Sequence, residues 1–219
     1  VQTCALPISL HLRENEIALY QPESGFLRAS RCVQTQTRIA QSAGATLLEN
    51  MPVAQIEQRG TEVIVTTVGG DKATYDRAIV TAGAWMQSLL ASLNLPLTVT
   101  RQQIAYLHIA KNRETFQRGC LPVWIDASTN YYGFPEDGNI AGAKIACHDF
   151  GAEVDPNSVD RTVDATYIEG VREYARSRMP DLATDVSHSQ VCLYTVTQNE
   201  DLDRKSTRLN SSHTVISYA

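Results

Sequence analysis

Apolar and polar positions change their period along the chain, and each change marks a new element. Between residues 30 and 44 the apolar positions Val33, Ile39, Ala40 and Ala43 fall on one side of a helical projection. Ser30 is placed to cap that helix and Gly44 to end it. A strand-like segment follows through Val53 and Ile56. Glu62-Val-Ile-Val-Thr-Thr-Val68 reads as a strand that pairs with a second at 73–75 across the turn residues Gly69-Gly70-Asp71. Ala78-Ile-Val-Thr81 has the composition of a short buried strand and runs into Gly83 and a helix near 85–90. That order predicts the edge of a nucleotide-binding α/β domain.

From Leu97 the pattern shifts to longer strands. Segments 97–110, 121–125, 130–134 and 140–148 predict a largely antiparallel sheet. A helix over 158–178 carries Val163, Tyr167, Val171, Tyr174 and Ala175 on its inner stripe, and Pro180 stops it. A last strand, 190–197, contains Cys192.

Composition narrows the class. The 219 residues are 43% hydrophobic, enough for one or two cored domains. A net charge of −5, with no cluster of Lys and Arg, argues against nucleic acid as a partner. Apolar runs are strand-length, far short of the about 20 residues that span a bilayer, and no charged leader precedes an apolar stretch. The cysteines Cys4, Cys32, Cys120, Cys147 and Cys192 show no C-x-x-C and no zinc spacing with histidine. Neither a metal site nor a disulfide framework is expected, and a reduced, cytoplasmic protein is.

One segment carries candidate chemistry: Tyr131-Tyr-Gly-Phe-Pro-Glu-Asp-Gly-Asn-Ile-Ala-Gly-Ala-Lys-Ile-Ala-Cys-His148. Pro135 to Asn139 supply turn residues, so it should fold as a hairpin. Lys144 and His148 lie four apart on the second strand and project from one face, with Ile145 and Cys147 on the other. Tyr132, on the first strand, is close enough to the turn to share the face of Lys144. On pattern alone, a solvated lysine and a structurally satisfied histidine and tyrosine fit as well.

That hairpin resembles the Tyr-Tyr-Gly-Phe-Pro…Lys…His segment of the monomeric sarcosine oxidase and N-methyltryptophan oxidase family. Other stretches agree in order: Pro22-Glu-Ser-Gly-Phe-Leu27, Ile79-Val-Thr-Ala-Gly-Ala-Trp85, Arg101-Gln, Met179-Pro180 and Val191-Cys-Leu-Tyr-Thr195. The resemblance covers roughly residues 14–201, about the middle half of a family member. It implies an FAD-dependent oxidase of secondary amines that uses oxygen and yields hydrogen peroxide, working as a monomer on a small-molecule amine. Residues 10–96 would be a partial FAD-binding domain, and residues 97–202 an antiparallel amine-binding sheet with a covering helix, an α+β / α/β fold. Cys192 would hold the flavin covalently. Lys144 would lie over the flavin, His148 and Tyr132 would line the amine pocket, and Val53, Gly83 and Trp85 would contact the nucleotide.

The sequence also departs from the family. No G-x-G-x-x-G occurs, so the turn that holds a pyrophosphate at a helix N-terminus is not among these residues. After Thr195 the family's Pro-Asp-Glu-like turn is replaced by Val196-Thr-Gln-Asn-Glu-Asp-Leu202. Residues 1–9 and 203–219 resemble translated sequencing adaptors and are expected to pack poorly, which makes the whole an internal fragment. Two rival readings stand beside the family: a D-amino-acid or glycine oxidase-like enzyme with non-covalent FAD, and a non-catalytic β-sheet module binding a small ligand.

Overall fold

In the computed structural model, residues 9–197 are described. In chain order the elements are α1 (Ala29–Ser42), β1 (Val53–Arg59), β2 (Glu62–Thr67), β3 (Lys72–Tyr75), α2 (Met86–Leu89), β4 (Leu97–Ile109), β5 (Trp124–Asp126), β6 (Tyr131–Phe134), β7 (Ala143–Cys147), α3 (Ala165–Arg178) and β8 (Leu182–Thr197). The fold is a mixture of α and β with two sheets, ordered β1-β2-β3 and β5-β6-β7-β4-β8. The chain divides into two compact units.

Among the described residues the first unit takes in 9–26 together with Arg101–Ala152 and Val159–Cys192. Its sheet pairs β5 with β6, β6 with β7 and β7 with β4, all antiparallel. Period-2 alternation splits each strand between two faces. On one face Leu107 and Ile145 are fully buried and cluster with Val171 and Met179, the residues that α3 and its end supply. Burial of each such side chain contributes about 1.5–3 kcal/mol. Tyr174 of α3 stacks on Trp124 (centroids 5.5 Å apart, planes at 6°) and on Tyr131 (4.4 Å). Gly133 has to be glycine there, because a Cβ would stand 2.5 Å from the Trp124 ring.

Arg178 ends α3 as a buried charge, 3% exposed. It donates to both carboxylate oxygens of Glu16 at 2.5 Å, to Asp126 at 3.0 Å and to the His11 carbonyl at 3.1 Å. The Arg178 hydrogen bonds hold Glu16 at a pKa of about 2. Burial pushes the Asp126 carboxyl up, but donors from Ser128 and Tyr174 outweigh it and hold it at about 2.

Several expected boundaries move. The helix predicted from 158 begins at Ala165, so Val163 lies outside it. Asp160 turns its carboxylate onto the Thr162 N–H (2.8 Å), and Asp164 binds Arg101 (2.9 Å) and Gln103 (2.8 Å). Side chains that satisfy the backbone in a turn compete with the helix, which delays its start. β8 begins at Leu182, eight residues before the predicted strand. The strand predicted at 121–125 shrinks to Trp124–Asp126.

Among the described residues the second unit takes in Leu27–Thr100, Glu153–Ser158 and 193–197. In its sheet β2 pairs with β3 across Gly69-Gly70-Asp71 as expected, with Val65 opposite Ala73, and β1 adds on the other side of β2 to make a meander. α1 starts at Ala29 behind Arg28, whose extended backbone occupies the cap position, so Ser30 lies inside the first turn and does not cap it. Gly44 does close the helix, at φ +94°, with Ala45 N–H on Ala40 O and Gly44 N–H on Gln41 O. The apolar side of α1 stays open: Val33 and Ile39 are 61% and 64% exposed. Residues 78–81 form no strand, and Ile79 is 88% exposed. A strand is defined by a ladder, and β1-β2-β3 offers this segment no neighbour.

Ser9, placed above among the residues expected to pack poorly, is 1% exposed and donates to the Thr115 carbonyl (3.3 Å). Residues 1–8 and 203–219, read above as adaptor-like, lie outside the described residues.

Candidate active site

The face of the five-stranded sheet away from α3 follows directly from register. Phe134 and Tyr106 flank Lys144 on either side, while Tyr132 and Ile104 flank Ala146. Cross-strand partners share a face, so Tyr132, Phe134, Lys144 and Tyr106 project together. Ile125, the partner of Tyr132 on the edge strand β5, is 79% exposed, so this face is open at that edge, while Ile104 and Ala146 further in are buried.

The structure brings the sequence-predicted residues Tyr132, Lys144 and His148 together here. Lys144 Nζ lies 5.1 Å from the Tyr132 ring centroid and 4.4 Å from that of Phe134. His148 meets Tyr132 edge-on at 6.3 Å and Phe150 at 6.2 Å, and its backbone N–H is fixed on Asn130 O (2.9 Å). Burial lowers the Lys144 pKa from its ordinary value, and the Cys192 charge acts in the opposite sense.

Cys192 joins the same face from β8. Gln190 Nε2 donates to its sulfur at 3.4 Å, and Gln190 Oε1 meets His188 Nε2 at 3.3 Å. His188 packs edge-on against Tyr106 at 5.9 Å. Burial raises the Tyr106 pKa, with the charges of Asp137 and Cys192 adding to it. Tyr106, Phe134, His188 and Gln190 are additions to the set read from sequence. Phe134 was within reach, lying two residues from Tyr132. His188 and Gln190 become visible only once β8 is known to extend back past them.

Val53, Gly83 and Trp85 belong to the second unit. Val53 opens β1 opposite Thr67, and Gly83 sits at φ +51° with nothing within 4 Å of a Cβ. Trp85 donates from Nε1 to Asn157 (2.9 Å). The cleft of about 410 Å³ near it is lined by Glu153 and Asp155, carboxylates that do not suit a diphosphate. Among the described residues no cluster of three or more His, Cys, Asp and Glu could hold a metal, and no helix is long and apolar enough to cross a membrane.

An open sheet face carrying an ammonium, a thiol, an imidazole and aromatic rings suits the ring system of a flavin. A flat heteroaromatic can lie on it, the ammonium can balance charge, and the thiol can attach. Comparison with known proteins agrees: the chain belongs to the family of FAD-dependent oxidoreductases, whose description, "FAD dependent oxidoreductase", matches residues 6–213.

Within that family it is 30% identical over 193 residues to the monomeric sarcosine oxidase of Bacillus sp. (strain NS-129), covering 85% of this chain and 49% of that one. It is 29% identical over 195 residues to the N-methyl-L-tryptophan oxidase of Yersinia pestis (strain Pestoides F), covering 86% and 50%. The chain thus spans about half the length of these relatives. Among solved structures, fructosyl amine: oxygen oxidoreductase (Amadoriase I) from Aspergillus fumigatus superposes with a TM-score of 0.66 at 19% identity, over 81% of this chain and 44% of that one. NikD, described as an unusual amino acid oxidase essential for nikkomycin biosynthesis, gives 0.61 at 21%, over 77% and 44%. These two share the fold.

Proposed function

We propose that these residues form the amine-binding sheet and flavin-attachment strand of an FAD-dependent oxidase of secondary amines, acting on the CH–NH bond of N-methyl amino acids such as sarcosine or N-methyltryptophan. The products are an imine, hydrolysed to aldehyde and amino acid, and hydrogen peroxide. The observation that carries this reading is the placement of Lys144 and Cys192 on one open face, in a chain related to sarcosine oxidases.

Bound flavin supplies the electron acceptor for the substrate C–H bond and the electrons that reduce oxygen. The chain supplies the rest. Lys144 places a positive charge where negative charge grows during oxygen reduction. The His148 imidazole and Tyr132 phenol border the amine and orient its nitrogen. Cys192 provides the sulfur for covalent attachment, while Val53, Gly83 and Trp85 are assigned to the nucleotide by the family resemblance alone, since the cleft beside Trp85 is acidic. The active species is a monomer, and the free thiols Cys32, Cys120, Cys147 and Cys192 suit a reducing cytoplasm.

In the full-length enzyme, acid denaturation should leave yellow flavin on the polypeptide, and Cys192→Ala should release it. Flavin that washes free of the unmutated enzyme would instead support a D-amino-acid oxidase-like enzyme. Lys144→Met should slow flavin reoxidation by oxygen at least tenfold in stopped flow while leaving anaerobic reduction by amine comparatively intact. Equal loss in both half-reactions would remove Lys144 from this role.

A further inference from the structure

Lysine has a flexible four-carbon stem, and a lone ammonium normally keeps its water and samples many positions. Lys144 is half-buried. Its Nζ lies over two ring faces, Tyr132 and Phe134, both within the roughly 6 Å at which a cation gains from a ring quadrupole. Phe134 is the nearer, and it is the direct cross-strand partner of Lys144. Its own ring is fixed in turn: Phe26 stacks on it with centroids 5.2 Å apart and planes at 15°. Among the described residues no ion pair includes Lys144; its charge meets the two rings and the Cys192 sulfur.

We propose that Phe134, steadied by Phe26, is the positioning residue for Lys144, and that with Tyr132 it forms a two-ring seat fixing the ammonium at one point of the open face. A carboxylate partner would neutralise the cation. Two π faces hold it while leaving its charge available to an anionic group laid on the sheet. The consequence for oxygen reduction rests on the function proposed above, whereas the seat itself can be tested without flavin.

The titratable groups around Lys144 are Tyr132 on β6, Tyr106 opposite it on β4 and Cys192 on β8, and behind these His188 packs on Tyr106, His148 packs on Tyr132 and the Asp137 charge acts on Tyr106. None of these groups is removed when Phe134 is replaced, and only the Tyr132 ring is itself in contact with it, at 6.1 Å. The opposing contributions can therefore be separated by substitution: a leucine keeps the site dry but has no π face, and a tryptophan offers a stronger one.

The chain has four lysines, Lys72, Lys111, Lys144 and Lys205, so labelling with [ε-¹³C]lysine gives four assignable titrations by NMR. Lys144 should titrate below the ordinary lysine value, in keeping with the direction set by its burial. Phe134→Leu should lower its midpoint further, by about 0.4–0.7 pH unit, the equivalent of 0.5–1 kcal/mol of lost cation–π interaction. Phe134→Trp should hold or raise it, and Phe26→Leu should shift it as Phe134→Leu does, by less. An unchanged or raised midpoint in Phe134→Leu, or a fall in Phe134→Trp matching the leucine variant, would reduce Phe134 to packing and overturn the proposal. If the leucine variant does not fold, a midpoint in Phe134→Trp at or above that of the unmutated chain supports the seat, and a lower one overturns it.

Discussion

Arg178 shows how much one residue can carry. Its guanidinium is buried and shared between Glu16 and Asp126, so removing it leaves two carboxylates facing a vacancy. Arg178→Ala is expected to cost about 3–5 kcal/mol, measurable by denaturant unfolding. The pair also sets an acid limit. Both carboxyls are held at about 2 when folded, below an unfolded value near 4. The folded state therefore binds fewer protons in this range, and the stability contributed is complete above the unfolded value and lost as pH falls toward 2. The melting temperature should drop between about pH 5 and pH 2, and Asp126→Asn, a weaker fold at neutral pH, should flatten that slope. An equal slope in both proteins would locate the acid sensitivity elsewhere. Gly133→Ala is expected to cost about 1–3 kcal/mol, because the Trp124 ring leaves no room for a methyl group.

At the scale of elements, the two long helices contrast. α3 buries Val171, Tyr174 and Ala175 against the sheet, whereas α1 buries none of its residues. Both are amphipathic in sequence, so amphipathicity alone does not say which helix is part of a core. Leu107→Ala, in the strand beneath α3, should destabilise the fold by about 2–5 kcal/mol. Ile39→Ala in α1 should change it by less than about 0.5 kcal/mol, as for other exposed positions. Thermal unfolding of the two variants side by side checks both. The β6–β7 hairpin owes its closure partly to Glu136, which is 8% exposed, accepts from both ends of the Arg113 fork at 2.7 Å and receives the Gly142 N–H at 3.0 Å.

At the scale of the whole molecule, the sheet unit has a core of its own while α1 and residues 78–81 are open. Hydrogen exchange should follow that division, with amides of β4 and β7 protected far longer than those of α1. The 219-residue chain mixed with FAD is expected to stay colourless after desalting. A diphosphate needs the backbone N–H groups of a Gly-rich turn at a helix N-terminus, and no G-x-G-x-x-G occurs in this sequence. A yellow, peroxide-producing preparation would mean that flavin binding needs only the residues described above.

The sequence by itself determined what depends on local period and turn chemistry. Tyr132 and Lys144 share a face because strand side chains alternate, and the Gly69-Gly70-Asp71 turn dictates the β2–β3 pairing. The motif order from Pro22 to Thr195 was equally legible, and it pointed to the family. Tertiary structure decided whatever depends on a partner distant in sequence. Residues 78–81 look like a strand but have no ladder to join. The start of α3 moved to Ala165 because Arg101 and Gln103, more than sixty residues away, claim Asp164. Phe134, whose ring lies under the Lys144 ammonium, is stacked by Phe26, a residue far away in sequence. A periodic pattern records what a segment offers; a charge or a ladder is satisfied only by what the fold brings to it.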